Sequence, residues 1–529
     1  MDGKNPIAAS VRYAELPVDT NFTPRGIALR LFLSCWLIYS LHFASNIVRE
    51  IYAGTALGDH LSFRLDDYAG MHDDFFEVEG RGWHHGANPG ASMIAAIPYA
   101  LARPAVDRVV TRTNRRRADQ NEPPPAYNAP NVEDRELFRK AWNRGYDIKL
   151  GLAALVMQWF CMAPLSAAGV VLMFFALIPL LNSDQRALWF ALLYAFGTPV
   201  FYRTGFLNHN MMLGHFAFAA FLLLWNYRER LPCSPATRLT LAGFAAGLGV
   251  LLDYSGGILL LALFFYSTYR RIKSGEASAA RMVISTAIRF GFGALGPVAL
   301  LWFYQWQSFG HPFYPGQHWM APVEWMDLGY QGFSLPRWDL LQMLLVDHRF
   351  GLFISCPFFL VALAAPFFHR AGTRPGAVTF ATPELVFLLV TSTVLWLFFG
   401  AVAYTRLQFV TGVRYLAPLF PFLFLLAMAA LTRLPVILVR LIAIASVTLA
   451  WSMAMYRDVE RGWGVLDPVF EILLGGPRLP ILTRLARIEG LFGEGFLFGP
   501  SPLPLFALAG AILFVIWMPW KQSAQNAAR

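Results

Sequence analysis

Residues 64–90, RLDDYAGMHDDFFEVEGRGWHHGANPG, concentrate ionisable side chains in a chain that is otherwise largely apolar. The stretch holds six carboxylates, two adjacent histidines and an Asn-Pro-Gly turn, shortly after the first apolar segment. Carboxylates can take a proton from a hydroxyl, and histidines can transfer protons, ligate metals or contact phosphate. Ionisable groups at this density cost too much to bury in lipid. The stretch therefore predicts an aqueous surface or a reaction site.

The composition places the chain among integral membrane proteins. Of its 529 residues, 56% are hydrophobic and 14% are charged, and several apolar runs reach about 20 residues, the length that crosses a bilayer. The formal charge of +10 comes mainly from arginines at the ends of apolar runs, which fits topology signals and anionic headgroups. We therefore expect membrane lipids and not nucleic acid as partners. The four cysteines lack CxxC spacing, so they indicate neither a disulfide framework nor a zinc site.

The apolar runs predict an all-α polytopic membrane protein with about twelve transmembrane helices. Short basic loops between alternate spans place those loops, and both chain termini, in the cytoplasm of a cell with a plasma (inner) membrane. The long first loop, residues 49–149, is then extracytoplasmic. The predicted spans are 27–48, 150–180, 186–204, 210–226, 237–253, 255–271, 284–306, 351–368, 384–403, 415–431, 434–455 and 504–520.

The first loop divides into two parts. Residues 92–102 are apolar but too short to cross a bilayer and are broken by proline, which predicts an interfacial helix. Residues 103–149 contain RTNRRR and PPPAYNAP, which predicts a flexible loop whose arginines violate the positive-inside rule, as long loops can. We expect one transmembrane domain over residues 1–455, with spans 2–11 in 150–455. Residues 456–529 should form an outer amphipathic segment and the last span.

Several short motifs resemble those of a known enzyme family. An acidic outer loop after the first span, a Pro-Gly segment opening an apolar helix, and a late Arg-Tyr-x-x-Pro-x-x-Pro element are similar to the membrane glycosyltransferases of the GT-C fold. The resemblance is to the branch with the protein O-mannosyltransferases and the lipid A aminoarabinose transferases. Where relatives have hydrophobic-Asp-x-Tyr, Gly-Asp-Lys and Lys-Ala-Pro-Gly, this chain has LDDY at 65–68, HDD at 72–74 and ANPG at 87–90.

The resemblance implies transfer of a sugar from a polyprenyl-phosphate donor to a lipid, glycan or protein acceptor at the outer face of the membrane. Asp66, with Asp67 as its competitor, matches the general base that takes the proton of the acceptor hydroxyl. The departing phosphate needs cationic support, and this chain has Asn88 before the proline and no lysine in the segment that corresponds to Lys-Ala-Pro-Gly. The candidates for contacts with the donor phosphate are Arg81, His84, His85 and Arg414.

Polar side chains of the outer loops could also bind substrate. The candidates are Tyr68, Asn88, Asn208, His209, His348 and Arg349. Asn208 and His209 could instead satisfy the start of a helix, and the aromatic segment 306–350 could be an interfacial belt. The mixture of acids and histidines could hold Mg²⁺ or Mn²⁺, although no fixed ligand spacing is present. The candidate metal ligands are Asp66, Asp74 and His84.

Two other classes of protein stay open. A transporter or flippase of a lipid-linked or amphiphilic substrate would carry functional charges in the middle of its spans, where Asp253 is the main candidate. A non-catalytic membrane protein that binds glycans or lipids would tolerate Asp66→Asn and Asp67→Asn. No Walker or GxGxxG sequence is present, so a nucleotide cofactor has no evident cradle.

Overall fold

The computed structural model of the protein is almost entirely helical. It describes residues 22–129, 131–229, 231–275, 278–370, 376–408, 410, 412–456, 463–493 and 499–519. The predicted cytoplasmic termini fall largely at residues 1–21 and 520–529, outside the described residues.

Many of the helices are joined by short connections, whereas residues 61–89 and 310–337 form two long segments between helices. In chain order they are α1 (Pro24–Leu41), α2 (Arg49–His60), α3 (Gly90–Gln120), α4 (Val132–Asn143), α5 (Asp147–Met157), α6 (Ala163–Leu181), α7 (Asp184–Phe196), α8 (Val200–Arg203), α9 (His209–Trp225), α10 (Pro235–Leu252), α11 (Gly256–Ser274), α12 (Ala279–Phe309), α13 (Trp338–Val346), α14 (Leu352–Ser355), α15 (Ala365–Arg370), α16 (Thr382–Gly400), α17 (Phe420–Leu431), α18 (Val436–Met455), α19 (Leu466–Gly475), α20 (Pro480–Ala486) and α21 (Leu503–Trp517). Two strands, β1 (Phe75–Val78) and β2 (Gly82–His85), pair antiparallel as a hairpin.

The helices confirm the predicted class, an all-α polytopic membrane protein. In the described part of the chain, five helices are long and apolar enough to cross a bilayer. The longest joins α5 and α6 through a π-helical turn, Gln158–Met162, into one helix of 35 residues. Four shorter apolar helices coincide with other predicted spans. The five long helices are Asp147–Leu181, Pro235–Leu252, Ala279–Phe309, Thr382–Gly400 and Val436–Met455.

The centre and the rim of the bundle differ in sequence. All twelve residues of α17 are buried, as expected for a helix that is apolar on every side. By contrast, only 22% of the apolar window of α18 is buried, so most of its surface is left for lipid. Helices α10 and α12 approach closely at Gly243 and Gly293, because these residues have no side chains. A Cβ at either position would collide with the backbone of the other helix.

Consecutive spans run in opposite directions, so alternate helix ends lie on the same side of the bundle. Contacts between distant segments agree with this alternation: the Ala44 N–H donates to the Gly205 carbonyl at 2.7 Å. We call this side the site end. It carries the helix ends at Leu41, His209, Leu252, Phe309 and Gly400.

Three predicted spans have wrong boundaries. The first helix ends at Leu41 and not at residue 48, because the chain turns through Ser45, which has a positive φ of 52°. The span predicted at 186–204 stops at Phe196, before Gly197 and Pro199. The span predicted at 351–368 is divided into α14, a 3₁₀ segment (Pro357–Ala364) and α15. Proline removes a backbone donor and interrupts the regular helix in the last two cases.

The predicted length of the helix at 92–102 is also wrong, as is the prediction of a flexible loop over 103–149. Residues Gly90–Gln120 form one 31-residue helix, with Pro98 and Pro104 inside it, and α4 follows. A proline inside a helix costs about 3 kcal/mol. Contacts to other segments offset this cost: the Arg117 guanidinium makes two hydrogen bonds to Asp147, at 2.9 and 3.0 Å.

Candidate functional site

The start of α2 places a buried pair of opposite charges at the site end. The Arg49 guanidinium lies 2.5 Å from Asp74 Oδ2 and 3.4 Å from Glu50 Oε1. Glu50 is only 4% exposed, and the Ser92 hydroxyl donates to its backbone carbonyl at 3.0 Å. Asp74 directly precedes β1, so the hairpin brings its carboxylate to α2. An acid in the first helical turn is also favoured by the helix dipole.

His209 connects Glu50 to a third carboxylate, Asp253. Its Nδ1 lies 2.9 Å from Glu50 Oε1, and its Nε2 lies 3.6 Å from Asp253 Oδ2. The imidazole belongs to the first turn of α9, where the Asn208 side chain accepts the Met211 N–H at 3.3 Å. We call Arg49, Glu50, Asp74, His209 and Asp253 the carboxylate cluster.

Asp253 is the most accessible member of the chain that runs from Glu50 through His209. Its side chain is 23% exposed, compared with 5% for Glu50 and 10% for His209. It follows the last residue of α10, and its Oδ1 accepts the Ser255 N–H at 2.8 Å. An array of acid, imidazole and acid can receive a proton at its open end and share it with the interior.

Contacts within the cluster stabilise the negative charges of Glu50 and Asp74. Burial pushes the pKa of Glu50 upward, but Arg49 and the hydrogen bond with His209 more than offset burial, so this pKa lies well below its ordinary value. Burial likewise opposes ionisation of Asp74, and Arg49 again prevails, so the pKa of Asp74 is lowered. Both carboxylates are therefore charged at neutral pH.

The segment between α16 and α17 adds two tyrosines and an arginine beside Asp253. Burial, followed by the nearby Asp253 carboxylate, holds the pKa of Tyr404 well above its ordinary value. The Arg414 guanidinium carbon lies 5.2 Å from the centre of the Tyr415 ring. The charge of Arg414 acts on Tyr404 as well. The charges of Arg414 and Asp253 therefore both act on Tyr404.

Arg203 holds the backbone that leads to Arg414. This arginine is 1% exposed, and its Nε donates to the Val413 carbonyl at 2.8 Å. Its Nη2 donates to the Val410 carbonyl at 3.2 Å and also contacts the Gly412 carbonyl. Because the planar guanidinium presents several donors in fixed directions, it can bind several carbonyls at once.

Other contacts fix the same segment from the opposite side. The Gly412 N–H donates to the Arg349 carbonyl at 2.6 Å, and the Val413 N–H donates to the Ser355 hydroxyl at 3.0 Å. Gly412 has a φ of +96°, and the Tyr202 ring occupies the space where a side chain would begin. Only glycine fits such a position without strain.

The two predicted bases lie in an exposed turn. Asp66 and Asp67 belong to the 3₁₀ segment Asp66–Tyr68, and their side chains are 42% and 61% exposed. Asp66 accepts the Trp83 N–H at 2.8 Å and pairs with Arg64 at 2.8 Å. In the described part of the chain, no hydrogen bond or ion pair joins either carboxylate to the carboxylate cluster.

The predicted phosphate ligands of the first loop separate into two places. Arg81 donates to the backbone carbonyls of Trp306 and Gln307, at 3.3 and 3.0 Å, near the end of α12. His84 Nε2 lies 3.1 Å from the Arg81 carbonyl. His85 is 2% exposed and lies beside the carboxylate cluster. Burial, together with the Arg49 charge, lowers the pKa of His85 to about 3, so its imidazole is neutral.

The predicted substrate ligands also have structural partners. The Asn88 side chain donates to the Val250 carbonyl at 2.7 Å, and Tyr68 is buried against Tyr52 and Tyr146. Asn208 is the N-cap of α9, which agrees with the alternative that it satisfies a helix start.

His348 and Arg349 lie in the loop after α13. The His348 side chain is exposed, while its carbonyl accepts the Val465 N–H at 3.1 Å. The Arg349 carbonyl accepts the Gly412 N–H, as described above. The backbone of these two residues therefore links the segment before Arg414 to the start of α19.

The three suggested metal ligands do not converge. Asp66 pairs with Arg64, Asp74 pairs with Arg49, and His84 contacts a backbone carbonyl. Among the residues that the structure describes, no group of three or more His, Cys, Asp or Glu side chains is arranged to hold a metal ion.

Two members of the carboxylate cluster were missed as site residues in the sequence. Arg49 and Glu50 form an adjacent charged pair soon after the first apolar run, and this pair was the signal available. Asp253 was noticed only as a charge inside a predicted span. His209 is the member of the cluster that the sequence predicted as a substrate ligand.

No protein-family model and no curated protein sequence matches the chain. Among solved structures, the chain is similar to the crystal structure of ArnT from Cupriavidus metallidurans in the apo state. That match has a TM-score of 0.42 and 13% sequence identity, and it covers 93% of this chain and 75% of that chain.

Proposed function

We propose that the protein is a membrane glycosyltransferase of the GT-C type. It moves a sugar from a polyprenyl-phosphate carrier to a lipid, glycan or protein acceptor at the outer face of the plasma membrane. The observation that carries this proposal is the carboxylate cluster, which gathers Glu50, His209 and Asp253 from three separate segments at one end of the spans. Burying ionisable groups beside a bilayer is costly, which favours a functional role for them. A carboxylate next to an imidazole can act as the base that accepts a proton. The motifs at 65–68 and 414–421 favour the same reaction class.

Asp253 is the general base in this proposal. It takes the proton of the acceptor hydroxyl while the acceptor oxygen forms its bond to the anomeric carbon of the sugar. The bond from that carbon to the phosphate oxygen breaks, and its electron pair leaves with the polyprenyl phosphate. The proton stays on Asp253, and the His209 imidazole lies beside this carboxylate, with Nε2 3.6 Å from Oδ2 and the other ring nitrogen facing Glu50. A single displacement of this kind inverts the anomeric centre.

Arg414 supports the leaving phosphate. Its guanidinium can donate two parallel hydrogen bonds to phosphate oxygens, which stabilises the charge that develops there. The hydrogen bonds that Arg203 donates to backbone carbonyls form a clamp that fixes the segment before Arg414. The position of Arg414 is therefore set before the substrate binds. Preorganised donors of this kind are the ones that lower a transition state.

Asp66 and Asp67 are the alternative bases, because the sequence resemblance points to them. Each would have to act from an exposed turn, where water competes for the proton. The Asp253 side chain is only 23% exposed, and the more deeply buried His209, which can also accept a proton, lies next to it. The geometry therefore favours Asp253.

A transporter is less well supported. That alternative rests on a functional charge in the middle of a span, and Asp253 follows the last residue of α10, in the turn before α11. It is paired there with His209 and not left in the middle of a helix.

Incubation of the purified full-length protein in nanodiscs with a panel of polyprenyl-phosphate sugars tests the reaction class. We expect one donor to be converted, with free polyprenyl phosphate and a transferred or hydrolysed sugar as products, both detected by mass spectrometry. If every donor is recovered intact while one of them crosses the bilayer of proteoliposomes, the protein is a transporter and the proposal is wrong.

A further inference from the structure

Helix α3 carries a stripe of basic side chains that the proposed reaction does not use. Arg108, Arg112 and Arg115 are exposed and spaced by four and three residues, so they share one face of the helix. In the described part of the chain, no ion pair involves any of the three. Other arginines of α3 are paired: Arg103 with Asp107 at 3.3 Å and Arg117 with Asp147 at 2.9 Å.

The same face of α3 is apolar nearer its start. Ile97 and Leu101 lie four residues apart, in helical register with Arg108, and their exposed fractions are 64% and 81%. The packed face is opposite and contains Ala95, Tyr99 and Val106, all buried. The outward face therefore changes from aliphatic to cationic along the helix axis.

The position of α3 relative to the spans explains this change. Gly54 packs between Ser92 near the start of α3 and Met157 of the longest span. Just beyond Met157, Trp159 and Phe160 are 38% and 53% exposed, and exposed aromatic residues are typical of the edge of the hydrocarbon layer. The start of α3 thus lies at the depth where lipid chains meet headgroups.

The distances along α3 fit the thickness of that boundary. From Leu101 to Arg108 the helix rises about 10 Å, and the headgroup region on each side of a bilayer is about 5 to 8 Å thick. An inclined helix with this spacing puts its aliphatic side chains against acyl chains and its arginines against phosphates. The basic residues also contradict the positive-inside rule if the site end is outside, so a role at the surface would account for their presence.

We propose that the outward face of α3 is a binding surface for phospholipids with anionic headgroups, which hold the first loop against the membrane beside the carboxylate cluster. Arg108, Arg112 and Arg115 contact the lipid phosphates, and Ile97 and Leu101 contact the acyl chains. The recognised chemistry is a lipid phosphate with a net negative headgroup.

Native mass spectrometry of the full-length protein, released from detergent after addition of phosphatidylglycerol or phosphatidylethanolamine, tests the proposal. We expect the wild type to retain phosphatidylglycerol in preference to phosphatidylethanolamine. In Arg108→Gln/Arg112→Gln, binding of phosphatidylglycerol should weaken about 25-fold, since each arginine near a membrane surface contributes about a fivefold factor. The packed face of α3 is unchanged in this variant, so the protein should remain folded.

A matched control has the same spacing on a neighbouring helix. Arg135 and Arg139 of α4 are also exposed and four residues apart, and Arg135→Gln/Arg139→Gln should retain the lipid as the wild type does. Equal losses in the two double variants would mean that only net charge matters, and equal retention of both lipids by the wild type would mean that the headgroup is not recognised. Either result overturns the proposal, as does displacement of the lipid by a short oligonucleotide.

Discussion

At the scale of single residues, the carboxylate cluster stays charged through mutual contacts. Glu50 is buried, yet it keeps its charge because Arg49 and His209 both face it. Removing one member of a buried ion pair leaves the other uncompensated, which typically costs about 3 to 5 kcal/mol. Substitution of Arg49 or His209 would therefore leave the buried Glu50 carboxylate without part of the interactions that favour its charge.

The neutral His85 predicts sensitivity to mild acid. Its pKa is about 3 in the folded protein and about 6.5 when unfolded, so the unfolded chain binds a proton that the folded one does not. Stability should therefore fall as the pH drops from about 6.5 towards 3, by about 2 kcal/mol at pH 5. The lowered pKa values of Glu50 and Asp74 act only at lower pH. Thermal unfolding of wild type and His85→Asn at pH 7 and pH 5 measures this effect.

The asparagine keeps an acceptor for the Ala87 N–H, which His85 Nδ1 accepts at 3.1 Å. We expect His85→Asn to lose less stability than the wild type between the two pH values. His60→Asn, in which an exposed histidine is replaced, serves as the control and should match the wild type. An unchanged pH response in His85→Asn would contradict the assignment of a buried neutral imidazole.

At the scale of elements, the segment before α17 is fixed by its neighbours and not by its own secondary structure. Arg203 binds its carbonyls, and the Ser355 hydroxyl and the Arg349 carbonyl accept its N–H groups. The described residues 410 and 412–416 form no helix, so these contacts determine where Arg414 lies. Such a clamp is what a preorganised phosphate contact requires.

Gly412→Ala should disturb this clamp. A side chain at a φ of +96° costs about 1 to 2 kcal/mol, and it would also meet the Tyr202 ring. We expect a lower unfolding temperature and, once a donor is identified, a lower kcat as Arg414 is displaced from the leaving phosphate.

Gly291→Ala is the matched control, because Gly291 lies within α12 and has no atoms close to the position of a new Cβ. Alanine should be neutral or slightly stabilising there. Equal behaviour of the two variants would show that Gly412 is not under the constraint that we describe.

The sequence predicted elements well where an apolar run alone determines them. The spans at 210–226 and 237–253 agree closely with α9 and α10. It failed for α3, which continues through Pro98 and Pro104 and whose far end pairs with a distant segment through Arg117 and Asp147. Such pairings join residues far apart in the chain, and hydrophobic periodicity does not record them.

At the scale of the whole molecule, the alternation of spans brings separate segments together at the site end. Glu50 follows the first span, His209 begins α9 and Asp253 ends α10. The sequence assigned the first loop and the Asn208–His209 segment to the same side of the membrane, and in the structure His209 contacts Glu50, at the start of that loop. It could not identify the cluster, since each member is isolated in the sequence and acquires its partner only in the folded bundle.

The central claim is that Asp253 is the base of a sugar transfer, and single-turnover kinetics with the active polyprenyl-phosphate donor test it most directly. We predict that Asp253→Asn lowers the rate of transfer by at least about 100-fold, the contribution of a general base. Asp66→Asn and Asp67→Asn should both react faster than Asp253→Asn. Asp184→Asn, at the opposite end of the spans, should match the wild type. If Asp66→Asn or Asp67→Asn abolishes transfer while a folded Asp253→Asn retains it, the base lies in the exposed turn and our account of the carboxylate cluster is wrong.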